Sequence, residues 1–110
     1  MHSVLRRLLC ATGALLALSA AAQNYPAKPI RMIIPLAAGS AVDNGARVLT
    51  QRMGTELGQS FFIENQPGSA GLIGAERVAK AAADGYTVGG FNDSVLTMVP
   101  NMYKANWDPL

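Results

Sequence analysis

Apolar positions along this chain change period several times, and each change predicts an element. Ile30 to Leu36 (IRMIIPL) is a near-continuous apolar run rich in isoleucine, the pattern of a strand covered on both faces of a parallel sheet. After Ala37-Ala38-Gly39, the period shifts to steps of three and four. Val42, Ala46, Leu49, Met53 and Leu57 then define one face of an amphipathic helix. Ser40, with Asp43 three residues on, resembles a capping box at its start, and Gly58 is placed as its C-terminal stop.

The same grammar repeats twice. Phe61 to Glu64 reads as a short strand, Asn65-Gln66-Pro67-Gly68 as a turn, and Gly71 to Ala83 as a helix with Leu72, Ala75, Val78, Ala79 and Ala82 facing inward. Glu76 and Lys80 are spaced for an i,i+4 ion pair on its outer face. Asp84-Gly85 closes that unit. Thr87 to Phe91 is a third strand, Asn92-Asp93-Ser94 a polar turn suited to an N-cap, and Val95 to Tyr103 a third helix. Strands alternating with helices of this length predict an α/β fold, a βαβαβ parallel sheet with right-handed crossovers. The chain stops at Trp107-Asp108-Pro109-Leu110 without a closing element, which reads as the truncation of a longer protein.

Composition changes the picture once the first residues are set aside. Residues 1–22 carry Arg6 and Arg7, an apolar stretch from Leu8 to Leu18, and Ala20-Ala21-Ala22, the order of a secretory signal peptide with its cleavage site. The apolar stretch is too short to remain as a membrane anchor. Cys10 reads as filler of that stretch, and the flanks of the arginine pair favour ordinary secretory export. The formal charge of +2 comes from Arg6 and Arg7, so residues 23–110 balance seven basic side chains against seven acidic ones. No basic block is left for nucleic acid or an anionic membrane surface. The only Cys, Cys10, and the only His, His2, also fall in the leader. Residues 23–110 therefore hold no thiol and no imidazole, which excludes Ser-His-Asp and Cys-His catalysis and the common zinc sites. No cofactor and no metal is expected.

A ligand site follows from topology. In an open parallel sheet the binding crevice lies outside the carboxyl ends of the strands. Three loops are expected there: Ala37 to Asp43, Asn65 to Gly71, and Asn92 to Ser94. All run into helix N-termini and are small and poor in Lys and Arg, so they would offer backbone N–H groups and positive dipole ends to a carboxylate. The candidate contacts are Ala38, Gly39, Ser40, Ala41, Asp43, Ser69, Ala70, Gly71, Asn92, Asp93 and Ser94. Asp43 has two possible jobs, capping the first helix or meeting an amino group of the solute, and the S-x-x-D spacing favours the cap. A competing reading comes from Gly68-Ser69-Ala70-Gly71-Leu72-Ile73-Gly74, a G-x-x-G-x-x-G run between strand and helix with Asp93 near the end of the next strand. Its first spacing is one residue too long for the dinucleotide fingerprint. A carboxylate-only secreted enzyme is the other alternative, with Asp43 and Asp93 as the acidic residues on that edge.

Tyr25-Pro26-Ala27-Lys28-Pro29-Ile30-Arg31, Ile34-Pro35-Leu36-Ala37-Ala38-Gly39, Asp43, Ala46-Arg47, Leu57-Gly58-Gln59, Glu64-Asn65-Gln66-Pro67-Gly68, Ile73-Gly74-Ala75, Ala79 to Thr87 and Asn101-Met102-Tyr103 follow in one order, before Trp107-Asp108-Pro109. That order resembles the Bug family, the extracytoplasmic solute receptors of tripartite tricarboxylate transporters. The resemblance spans essentially all of residues 23–110. It departs from the family pattern at Ala38 and Ser40, where Pro and Gly are usual, at Val42, where a small hydroxyl residue is common, and at Gln66 and Leu72, where Arg and Asn are usual.

The resemblance implies a two-lobed, type II periplasmic binding protein of the Venus-flytrap kind, with residues 23–110 as an incomplete N-terminal α/β lobe. It implies a periplasmic, non-enzymatic, monomeric receptor that closes on a small organic acid or amino acid and passes it to membrane permease subunits. The alternatives are a truncated fragment without function of its own and a dinucleotide-binding α/β domain.

Overall fold

The computed structural model describes residues 25–108. The signal peptide assigned to residues 1–22 lies outside the described residues. Three strands, β1 (Ile30–Ile34), β2 (Phe61–Asn65) and β3 (Thr87–Gly89), form one sheet in the order β2-β1-β3. Both pairings are parallel: Ile30 stands opposite Phe61 and Ile34 opposite Asn65 on one side, and Arg31 opposite Thr87 on the other. The isoleucine run thus becomes the central strand. Ile30, Met32, Ile33 and Ile34 are all buried, as a strand with both faces covered requires. The strand ends at Ile34, two residues earlier than the apolar run suggested. Pro35 has no N–H to offer a ladder and begins the loop.

The first helix, α1 (Ala41–Leu57), has the predicted bounds because its punctuation is local. The Ser40 hydroxyl accepts the Asp43 N–H at 3.2 Å, and Gly58 ends the helix in the left-handed conformation (φ +66°). Its buried face differs in part from the one predicted: Val42 and Ala46 pack on the core as expected, but the leucines do not. Asp43, Ala46 and Thr50 are buried, whereas Leu49 and Leu57 are exposed. Thr50 and Leu49 are one residue apart, a turn of about 100°, so taking a buried carboxylate and a buried threonine inward rotates the leucines out. Both polar groups are satisfied: the Thr50 hydroxyl donates to the Ala46 carbonyl at 2.7 Å.

A 3-10 turn (Ser69–Gly71) precedes α2 (Leu72–Ala79). This helix stops four residues short of the predicted Ala83, leaving Ala82 beyond its end. Its buried residues are Gly74 and Ala75, and Ala79 is exposed. The Glu76–Lys80 pair forms as spaced. The third strand is likewise shorter than Thr87–Phe91. The third helix divides into α3 (Asp93–Thr97) and α4 (Val99–Met102) at Met98, because Pro100 cannot donate the N–H that a continuous helix needs there.

The crossovers β1-α1-β2 and β2-α2-β3 run in opposite directions across the sheet, so right-handedness places α1 and α2 on opposite faces. Side chains agree. Met32, Ile34 and Ala46 form one core cluster with Leu36, Val42, Phe61, Ile63 and Val88 packed around it. On the other face, Arg77 of α2 reaches Glu64, which also pairs with Arg31 at 2.8 Å. Among the described residues no helix is long and apolar enough to cross a membrane.

Candidate functional site

The three parallel strands end on one edge, at Ile34, Asn65 and Gly89. Because β2 and β3 flank β1 on opposite sides, the strand order reverses at β1, the position at which open α/β sheets place a ligand crevice. The predicted site residues all sit on this edge. Ala38, Gly39 and Ser40 lie in the β1–α1 loop, with Ala41 and Asp43 in the first turn of α1. Ser69, Ala70 and Gly71 form the turn before α2, and Asn92, Asp93 and Ser94 cap and begin α3.

The hydrogen bonds divide these groups into occupied and free. Gly39 N–H donates to Asp43 Oδ2 at 2.8 Å, and Ser40 N–H to the Ala37 carbonyl at 3.2 Å. Gly71 N–H donates to the Gly68 carbonyl at 2.9 Å. Val95 N–H takes the Asn92 carboxamide oxygen at 3.2 Å, and Ser94 N–H takes Asp93 Oδ1 at 2.9 Å. At the start of α1, the N–H groups of Ala41 and Val42 have no acceptor among the described residues. They are the first-turn donors that no helix can satisfy internally. The dipole of a 17-residue helix ends at them.

Asp43 is the most interconnected side chain on the edge. It is 2% exposed, and its two oxygens accept from three donors: Gly39 N–H, Arg47 Nε at 3.0 Å and Asn65 Nδ2 at 3.0 Å. The capping-box expectation is met in a variant form, with the carboxylate reaching back to Gly39 rather than to the Ser40 N–H. The Arg47 hydrogen bond first, then the Gly39 N–H and the Asn65 amide, hold the carboxyl down at about 2, from an ordinary 3.8. The same contact raises the Arg47 pKa. A carboxylate with a depressed folded pKa contributes stability that is complete above 3.8 and lost as pH falls through about 2. Asp43→Asn is therefore expected to be less stable than the wild type at pH 6. The gap should shrink between about pH 4 and pH 2, as thermal melts across that range will show.

The glycine run finds a packing explanation. Gly71 adopts φ +94°, and a Cβ there would stand 2.9 Å from Val95 Cγ2. A Cβ on Gly74 would stand 2.7 Å from Pro35 Cβ. These two glycines let α2 approach the end of β1 and the start of α3, so close packing accounts for them. Ser69 and Ala70 hold positive φ values of +47° and +55° between Gly68 and Gly71. Such backbone costs energy in non-glycine residues and persists only where its surroundings impose it.

Three residues on the edge were not among the candidate contacts, although Asn65 opens one of the expected loops. Arg47 and Asn65 join Asp43 across the fold. Lys104, with Tyr103, Ser69, Ala70 and Leu72, lines a cavity of about 380 Å³. Lys104 brings to the Ser69–Ala70 turn a full positive charge that the loop compositions alone lack. No local pattern marks it, because it lies beyond α4, far along the chain from the turn it reaches. A larger crevice of about 670 Å³ runs along α1 and β2. It contains none of the predicted site residues and lies on the flank of the sheet rather than at the strand ends, so the loop edge remains the better candidate.

The family profile of the tripartite tricarboxylate transporter receptor matches residues 45–110. The chain belongs to this family. A UPF0065 protein of Bordetella bronchiseptica is 43% identical over 103 residues, covering 91% of this chain and 31% of its own length. This chain thus spans about a third of that relative. Among solved structures, a periplasmic transporter superposes with a TM-score of 0.74 at 42% identity, over 77% of this chain and 29% of the other. MatC of Rhodopseudomonas palustris, solved with bound malate, gives a TM-score of 0.65 at 32% identity over 77% of this chain and 29% of its own. The expected family and the parallel α/β fold are both upheld. The matched family is one of transporter receptors, and a solved Polaromonas neighbour is a TctC solute-binding protein.

Proposed function

We propose that this chain contributes the first part of a two-lobed periplasmic receptor. The receptor captures a small carboxylate-bearing solute and delivers it to the permease subunits of a tripartite tricarboxylate-type transporter. The observation that carries this reading is the malate held by MatC, a relative that shares the fold over 77% of this chain. The chemistry of the loop edge supports it. One carboxylate of the solute meets the free N–H groups of Ala41 and Val42 at the positive end of α1. The Ser40 and Ser94 hydroxyls and the Asn92 amide add hydrogen bonds, some through water. Ala38, Gly39 and the Ser69–Gly71 turn shape the wall, with Lys104 beside it as a cation for the anionic solute. Asp43 and Asp93 act through the backbone groups that they hold. The second lobe supplies the remaining contacts, and closure about a hinge buries the solute. The signal peptide exports the protein, which works as a monomer without cofactor or metal.

Calorimetry on the complete receptor tests the proposal, with malate, succinate, citrate and glutamate set against NAD and glucose. Reversible binding of at least one organic acid without turnover is expected. A response confined to NAD or glucose, or chemical conversion of the acid, rejects the reading. Lys104→Gln is expected to weaken dicarboxylate binding by up to about fivefold, as an exposed charge contributes up to about 1 kcal/mol. The loss should diminish as salt is raised, which a titration series in increasing sodium chloride will show.

A further inference from the structure

We propose that Asn65 is a positioning residue: its single carboxamide fastens the β1–α1 loop to the end of β2 and thereby sets where the N–H groups at the start of α1 are presented. This rests on the reading that the loop edge receives the solute.

The loop itself has little else to hold it. Ala37, Ala38 and Gly39 are exposed and bury no apolar side chain. Polar contacts restrain it instead, among them the local bonds of the Ser40 N–H to the Ala37 carbonyl at 3.2 Å and of the Asn44 side-chain amide to the Gly39 carbonyl at 3.1 Å. The Leu36 carbonyl at its start accepts from Asn65 Nδ2 at 3.2 Å. The Gly39 N–H in its middle donates to Asp43, and the Ser40 hydroxyl at its end accepts from the Asp43 N–H. Asp43 is in turn held by the second Asn65 Nδ2 hydrogen at 3.0 Å and by Arg47. Arg47 also reaches the Asn65 carboxamide oxygen at 3.3 Å. Both amide hydrogens and the amide oxygen of Asn65 are thus used, each on a different partner. Few side chains of that length donate twice and accept once. Aspartate would face the Asp43 carboxylate and offer no hydrogen to Leu36, and an aliphatic residue would remove all three bonds, leaving Asp43 only Gly39 and Arg47.

Asn65 is also the last residue of β2. Gln66 N–H still bonds the Ile34 carbonyl at 2.7 Å, and the turn toward Ser69 begins directly after it. One residue therefore sits at the root of the second loop while gripping the first. Hydrogen bonds to a solute weaken steeply with misalignment, so loops that move as one body hold affinity that independent loops lose.

The test compares Asn65→Ala, Asn65→Asp and the reciprocal double variant Asp43→Asn/Asn65→Asp in the complete receptor, with Ile33→Val as a control for general loss of stability. Amide hydrogen exchange at Gly39 and Ser40, the loop amides with acceptors, is read without solute, and malate affinity is read separately. Asn65→Ala and Asn65→Asp are expected to raise exchange at these two amides about tenfold over wild type, as two net hydrogen bonds imply, with β1 unchanged. The double variant restores the bond between positions 43 and 65 and recovers melting temperature. It cannot donate to the Leu36 carbonyl, so loop exchange and malate affinity should stay impaired. Ile33→Val should lower stability and leave the loop at wild-type exchange. Unchanged loop exchange in Asn65→Ala, or a rise spread evenly over the sheet, overturns the proposal. Full recovery of loop exchange in the double variant overturns it too. If the wild type binds no malate, the malate reading fails, while the exchange measurements still decide whether Asn65 holds the loop.

Discussion

Ile34→Ala is expected to destabilise the fold by about 2–5 kcal/mol, the range for truncating a large aliphatic side chain in a packed core. Ile34 is fully buried in the central strand, clustered with Met32 and Ala46, and ringed by side chains from α1, β2 and β3. Removing three carbons there leaves a void whose lining comes from three separate elements, each tethered to the sheet by its own backbone. Such a site collapses poorly, which places the cost toward the upper part of the range. In a small domain each kcal/mol moves the melting temperature by about 4–8 °C, so a thermal melt will resolve the loss easily. Phe62 provides the contrast. It belongs to edge strand β2 and is 63% exposed, so Phe62→Ala should shift stability by no more than about 0.5 kcal/mol. A large loss at Phe62 with little at Ile34 would mean that the core lies elsewhere.

How far the chain was legible before its structure follows from the range of the interactions involved. The bounds of α1 were readable because Ser40 and Gly58 act within a few residues of the helix ends. Its buried face was not, because the choice between Leu49 and Thr50 is made by what the sheet presents. That surface includes Asn65, whose bond to Asp43 spans 22 positions. The central strand was readable from its isoleucines. The division at Met98 had a visible signal in Pro100, which the reading of Val95 to Tyr103 as one helix passed over.

The candidate site shows the same division. That three loops share an edge follows from strand direction alone, since parallel strands end on the same side. Which N–H groups remain free does not follow from composition. Gly39 and Ser40 were expected to offer theirs, and both are taken up within the protein, while Val42 was passed over as an apolar position and leaves its N–H unsatisfied. The absence of imidazole and thiol from residues 23–110 carries through to the site, where every group capable of recognition is a backbone N–H, a hydroxyl, an amide or a fixed charge. Such a set suits the reversible anion binding proposed above. It lacks the side chains that most often take up and return protons near neutral pH.

Gly71→Ala is expected to cost about 2–5 kcal/mol through two separable effects. A left-handed backbone at a residue with a Cβ costs about 1–2 kcal/mol, and Gly71 stands at φ +94°. Forcing a methyl group into a packed junction costs about 1–3 kcal/mol more, because that Cβ would lie 2.9 Å from one Val95 methyl and 3.4 Å from the other. A double-mutant cycle with Val95→Ala separates them: the steric part should vanish in the pair as a coupling of at least 1 kcal/mol or so, and the backbone part should remain. Gly45→Ala is the opposing case. Gly45 lies inside α1, and an added Cβ would meet no described atom within 4 Å beyond its own helix backbone and chain neighbours, so alanine should stabilise the fold by about 0.5–1 kcal/mol through helix propensity. The Gly71 effect also reaches the loop edge. Val95 follows Asn92 and Ser94 at the start of α3, so relief of the clash by displacement of α3 carries those two side chains away from the β1–α1 loop. Gly71→Ala should therefore weaken solute binding even in the fraction of molecules that stays folded, whereas Gly45→Ala should leave it unchanged. Calorimetry on the two variants at a temperature where both are folded distinguishes a glycine needed for the shape of the site from one that is merely tolerated in a helix.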